Sequence, residues 1–279
     1  MKNILVCEAT PEGIFSAVYY AYEKKLNPNV TFVQLDGIDN YELFAEYTQI
    51  ETDYEKARKV DKTIASRFGE ISYSYLWYAL YSREKERGNA IYRTIARGLA
   101  KAYRGELVNY LQDPYVLAVS KMRQNVWCEA HHYMGFVRFA ELQNRILYSE
   151  IEPKNHVLPI IAEHFADRFP NENFMIKDIG RNLYIVHEAG QGVVFHKEEG
   201  SGIEVTEEMY SEEEMKIQGL FQIFHKTIAI QERTNLGLQR QLLPLRFREN
   251  MTEFCSSIGR DGSSEEFLRN FEPGCSKYH

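Results

Sequence analysis

His131, His164 and Asp178 are the side chains in this chain best suited to proton transfer, and each has further polar groups beside it. Cys128 and His132 lie four residues apart, so on a helix they share a face and could begin a zinc site. No second ligand pair is spaced to complete it, so no metal is assigned. A histidine near a helix C-terminus, favoured by the dipole, is the plainer reading of His131-His132. His164 and Arg168 are also four apart, with Asp167 adjacent, and Asp178 and Arg181 follow at a strand–turn junction. This cluster reads in two ways. It is either a structural ion-pair network or an anion site where Arg168 and Arg181 grip phosphate and His164 donates a proton.

A second group of residues is suited to binding rather than proton transfer. Between Arg83 and Arg104 there are seven basic residues against two acidic ones, a local charge of +5 in a chain of net charge −7. Arg93, Arg97, Lys101 and Arg104 recur every three or four residues and form one helical stripe, either a solvated face or a phosphate-tracking one. Gly135-Phe136-Val137-Arg138-Phe139 partly matches the second half of an RNA-recognition strand motif, with Arg138 on the face opposite Val137, where it could meet phosphate or a carboxylate, but its basic–Gly–aromatic start is missing. Further on, Arg233, Asn235, Gln239 and Arg246 are residue types that hydrogen-bond to bases or to another protein. They serve equally well to hold the C-terminal helices against the rest of the fold. The 19 tyrosines and 16 phenylalanines are core packing or, on a sharper reading, a base-stacking surface.

Several chemistries have no motif here. The chain has no P-loop, dinucleotide-binding glycine fingerprint, nucleophile elbow, cysteine triplet for a radical-SAM cluster, or zinc-deaminase signature. Its four cysteines form no C-x-x-C pair, so reduced thiols are expected and no cofactor is assigned. The apolar start Ile4-Leu5-Val6 is too short for a signal peptide, and no stretch has the length of a membrane span. A cytoplasmic protein without membrane contact is the expectation.

The elements that must position these residues make an α+β fold. A helical N-terminal half with short strands is followed by a small, mostly antiparallel sheet with a crossing helix, and then by C-terminal helices. Ile4–Cys7 and Val30–Leu35 read as strands, and Thr10-Pro11 as the capped start of a helix. Residues 53–134 read as helices broken at Gly88-Asn89 and restarted at Asp113-Pro114, with Gly135 as the stop. Alternation then places strands at Phe136–Phe139, Leu147–Ile151, Phe174–Ile179, Leu183–His187 and Gly192–His196, with a helix from Asn155 to Pro170 between the second and third. Ser211–Arg233 and Leu236–Leu243 read as helices. The expected division is a mainly helical region over 1–112, an α+β region over 113–254, and a partly mobile tail over 255–279.

An ordered set of short motifs adds to this reading. They include Glu51-Thr52-Asp53, Asp113-Pro114 with Val116-Leu117-Ala118-Val119, Glu129-Ala130-His131 with Gly135-Phe136-Val137-Arg138-Phe139, and Ile151-Glu152-Pro153. Asn155-His156-Val157-Leu158-Pro159, His164 to Pro170, Asp178 with Arg181, and Glu232-Arg233 with Asn235, Gln239 and Arg246 continue the order. Taken together, the chain resembles a bacterial family of DNA-metabolism or DNA-repair proteins. The family is known as the genomic partner of a radical-SAM protein, and a similar domain is found fused to uracil-DNA-glycosylase-like domains. Two positions depart from its pattern: Tyr133, where a smaller or basic residue is expected, and Arg246-Phe247-Arg248 in place of Arg-Tyr-Trp.

The resemblance implies an accessory protein that binds DNA, a radical-SAM partner, or both, and it carries no catalytic residue over. A stand-alone nuclease, glycosylase or hydrolase using His131, His164 and Asp178 is the second reading. A protein–protein adaptor without DNA contact is the third.

Overall fold

The computed structural model describes residues 1–35, 41–100, 106–198, 205–227, 234–248, 250–251 and 254. The chain opens with strand β1 (Lys2–Cys7), helix α1 (Pro11–Glu23), and strands β2 (Thr31–Leu35) and β3 (Ala45–Gln49). The Thr10 hydroxyl accepts a hydrogen bond from the Gly13 N–H at 3.1 Å, and Pro11 takes the first helical turn, where its missing N–H costs nothing. β1 lies between β2 and β3 and is parallel to both. β3 was not expected from the sequence. Its run Ala45-Glu46-Tyr47-Thr48-Gln49 has little apolar content, and pairing with the buried β1 holds it extended.

α1 and α3 (Arg87–Leu99) pack on this sheet, α2 (Tyr54–Leu80) packs on α1, and α4 (Pro114–Phe136) packs on α2 and α3. α2 is two helical stretches joined at Gly69, whose φ of 76° only glycine adopts at little cost. The Glu106 carboxylate fills this kink, where Oε2 accepts from the Ser72 N–H at 3.2 Å and from the Ser72 hydroxyl. Leu5, Ile14, Ile64, Leu76, Ile91 and Ile95 form the first core.

The second sheet has the order β4 (Ala140–Glu141), β5 (Leu147–Ile151), β6 (Phe174–Asp178), β7 (Leu183–His187), β8 (Val193–Lys197). Three of its pairings are antiparallel, and β5–β6 is parallel. That parallel pair is joined through α5 (Leu158–Arg168), the expected crossing helix. Helices α6 (Glu212–Thr227), α7 (Leu236–Leu242) and α8 (Leu245–Arg248) follow. The architecture is therefore α+β, with one parallel and one mixed sheet.

The expected strand at Phe136–Phe139 is a correction. α4 continues through Gly135 to Phe136, the Val137 N–H bonds the Tyr133 carbonyl at 3.0 Å, and the short strand begins only at Ala140. Gly135 is thus an ordinary helical residue rather than a stop. α4 also runs past both cores, with Val119 and Met122 in the first and Val126, Ala130 and Tyr133 in the second. The tail 255–279 lies outside the described residues.

Candidate functional site

Many of the motif residues converge on the loop between β5 and α5. Glu129 of α4 is 3% exposed, and its carboxylate accepts from Lys154 N (3.1 Å), Asn155 N (2.8 Å) and Asn155 Nδ2 (2.7 Å). Arg246 of α8 pairs with the same carboxylate at 3.2 Å. From the other side, Arg181 donates to the Pro153 and Lys154 carbonyls at 3.0 and 2.8 Å and to Asp178 at 2.9 Å. The Arg83 N–H donates to Asn155 Oδ1 at 3.0 Å, and the His156 N–H donates to the Tyr81 carbonyl at 2.9 Å. The loop is therefore fastened to α2, α4, β6 and α8 together.

Burial shapes the titration of this region. Desolvation pushes the Asp178 carboxyl up, against the neighbouring Arg181, which pulls it down. Burial, with Arg181 and Arg87 nearby, holds His156 down to about 4, so its imidazole is neutral at pH 7. Burial and the adjacent Glu129 push the Tyr133 hydroxyl up, and burial with Arg246 pulls His132 down.

The sequence-predicted proton-transfer groups are carried by three different elements. His131 lies on α4, His164 on α5 with its ring edge-on to Phe165 at 5.1 Å, and Asp178 at the end of β6. Among the described residues no hydrogen bond or ion pair links any two of them. No group of three or more His, Cys, Asp or Glu among the described residues could hold a metal ion.

The described part of the expected basic stripe, Arg93 and Arg97, makes its contacts within the fold. Arg93 is 4% exposed, donates to the Pro28 and Asn29 carbonyls, and lies over Phe32 at 4.5 Å. Arg97 pairs with Asp113 and lies over Tyr115 at 4.9 Å. Lys101 and Arg104 lie outside the described residues, as does Arg233. Arg138 donates to the Gly135 and Val137 carbonyls at the end of α4, at 3.1 and 3.3 Å. Arg168 is exposed, 5.8 Å from the Phe169 ring centre. Asn235 caps α7 by accepting from Leu238 N at 3.0 Å, and Gln239 is exposed. Arg246 faces Glu129 and the Phe247 ring.

One surface that sequence reasoning missed has the composition of a binding face. Arg123, Trp127 and His131 stand at successive four-residue steps along α4. The Trp127 and His131 rings stack with centres 5.2 Å apart and planes 8° from parallel. The Arg123 guanidinium lies 5.2 Å from Trp127 and 5.0 and 5.7 Å from Tyr75 and Tyr78 of α2. Among the described residues its only hydrogen bond is a 3.3 Å contact to Gln124 Oε1, and its buried Nε has no acceptor there. Among the described residues no carboxylate pairs with it. From Lys121 to Gly135 the one acidic residue is the buried Glu129, so the outward side of α4 carries only positive charge. The signal in the sequence was the four-residue repeat Arg-Trp-His.

An open cleft of about 690 Å³ lies elsewhere, where β3 runs into α2. Asp53 there caps α2 by accepting from Glu55 N and Lys56 N, and Ser16 bridges Glu12 and Asp53. Among the described residues no helix is long and apolar enough to cross a membrane.

An α+β chain carrying a basic-aromatic helix face is the class defined so far. Residues 85–253, more than half of the chain, match the family described as a domain of unknown function, DUF4130, and the chain belongs to that family. No curated protein matches it. A solved structure described as a member of the s1p family of ribosomal proteins, with a DHH domain, aligns at 11% identity and a TM-score of 0.31. That alignment covers 66% of this chain and 73% of the other, and a TM-score at that level bears on neither fold nor function here.

Proposed function

We propose that this protein is a nucleic-acid-binding accessory factor of DNA metabolism, with the chemistry supplied by a radical-SAM partner. The family resemblance of the ordered motifs supports the biological setting. The observation that carries the binding reading is Arg123, a half-buried guanidinium framed by three aromatic rings and lacking a carboxylate partner among the described residues. An arginine stacked by its face leaves its in-plane N–H donors for an anion, and a phosphate suits that fork. The test is anisotropy of labelled DNA with the purified protein across a salt series. Affinity falls linearly in log salt, and Arg123→Ala makes the slope shallower by about 0.7–0.9, the contribution of one phosphate contact. Absence of binding at low salt overturns the proposal.

The adaptor reading has an observation of its own. Ile217, Leu220, Phe221 and Phe224 of α6 are 59, 67, 40 and 57% exposed at i, i+3, i+4 and i+7. An apolar stripe of that spacing is suited to docking a partner. Co-purification of the radical-SAM protein, lost in Leu220→Glu/Phe224→Glu, supports it, and undiminished co-purification counts against it. The stand-alone enzyme reading has less support, because no hydrogen bond or ion pair links its three candidate groups among the described residues.

A further inference from the structure

The Arg123–Trp127–His131 column ends at His131, and the reason is the next residue at the same spacing, Gly135. In an α-helix each Cα–Cβ bond tilts toward the N-terminus, so a side chain lies over the residue four positions earlier. Trp127 in this way covers Arg123, and His131 covers Trp127. A side chain at 135 would cover His131, but glycine has none, and a Cβ built there meets no atom within 4 Å. Gly135 is exposed and helical, so backbone conformation does not require a glycine at this place. The outward ring of His131 therefore faces open surface at the end of a stacked column.

We infer that this surface takes an unpaired nucleobase of single-stranded nucleic acid. The base stacks on His131 above Gly135, and a phosphate of the same strand meets Arg123. The inference rests on the nucleic-acid reading above and names the substrate class for that site. Arg123 and Gly135 are twelve residues apart on one helix, about 18 Å at 1.5 Å per residue, so the ligand is a strand several nucleotides long. The interior of a duplex cannot use the column in this way, because each base there already has neighbours on both faces. It would be left with the phosphate contact alone. Stacking on aromatic rings tolerates any base, so the site discriminates strandedness rather than sequence.

The test is anisotropy of the full chain with a labelled single-stranded oligothymidine and with a blunt duplex of the same length, at matched salt. The single strand binds about tenfold or more tighter than the duplex. His131→Ala and Gly135→Phe each lower single-strand affinity by about tenfold and leave duplex affinity unchanged, within the range expected for one stacked base. Circular dichroism checks folding, and Gly135→Leu serves as a second filling side chain where the phenylalanine does not fold. Equal affinity of Gly135→Phe and the unmodified chain for the single strand overturns the inference. So does equal affinity for the two ligands, and in both cases the nucleic-acid reading stands. Binding of neither ligand removes both.

Discussion

Glu129 Oε2 accepts two hydrogen bonds from a single residue, Asn155: one from its backbone N–H at 2.8 Å and one from its side-chain amide at 2.7 Å. The other oxygen meets Lys154 N and Arg246, so one carboxylate ties α4, the β5–α5 loop and α8 together. Each of those donors is left without an acceptor if the carboxylate is removed. Glu129→Ala is expected to lower stability by about 3 kcal/mol, the scale for stranding buried donors, and Glu129→Gln by less. Urea unfolding measures it, and a midpoint unchanged in Glu129→Ala contradicts the assignment.

His156 gives the fold an acid-sensitive joint. Its buried Nδ1 has no hydrogen-bond partner among the described residues, its ring lies edge-on to Tyr81 at 5.7 Å, and Arg181 and Arg87 supply the nearby charge. The imidazole is held down to about 4 in the fold, against an ordinary value near 6.5. The unfolded chain therefore binds the proton more readily, and this contribution to stability is present above pH 6.5 and lost as the pH falls toward 4. The loss is at most about 3 kcal/mol. His156→Phe should remove up to one proton from the uptake on unfolding between pH 4 and 6.5. Identical pH slopes for the two proteins would rule His156 out as the source.

How much of this was legible beforehand depended on whether a local signal fixed the outcome. Thr10-Pro11 and Asp113-Pro114 carry their own capping chemistry, and both begin helices where expected. The alternating runs of β6, β7 and β8 were also readable within a residue or two. Phe136-Val137-Arg138-Phe139 alternates just as well, yet α4 carries its first residue, and Arg138 and Val137 close the helix end. The periodicity of Arg93 and Arg97 was visible, but not that Arg93 is buried and Arg97 is paired with Asp113. Aromatic rings at Phe32 and Tyr115 and two loop carbonyls make the burial of Arg93 tolerable, and they are distant in sequence. Arg123 stands out only once α2 brings Tyr75 and Tyr78 beside it.

The kink in α2 couples two residues far apart in sequence. Gly69 has a φ of 76°, and a Cβ there would sit 2.8 Å from Glu106 Oε1. Glu106 is held in place through Ser72, whose hydroxyl accepts from the Leu107 N–H at 3.0 Å. Gly69→Ala is expected to cost about 1–3 kcal/mol from the left-handed backbone conformation, with the clash in addition. Glu106→Ala relieves the clash and removes the cap, so the double variant should be more stable than the two single losses added together. Strict additivity in a thermal or urea double-mutant cycle would show that the two residues act independently.

Arg93 and Arg123 are both arginines surrounded by aromatic rings, and they differ in their acceptors. Arg93 donates to two loop carbonyls and is buried, whereas Arg123 has one 3.3 Å contact and no carboxylate partner among the described residues. The two substitutions should therefore separate cleanly. Arg93→Met keeps the apolar stem but strands the Pro28 and Asn29 carbonyls, and should cost about 1–3 kcal/mol of stability without altering the salt dependence of DNA binding. Arg123→Met should leave stability within about 1 kcal/mol, the scale of an exposed cation–π contact, and make the salt slope shallower. Paired urea and anisotropy measurements on both variants decide the matter. A changed salt slope in a fully folded Arg93→Met would return the phosphate contact to the α3 stripe.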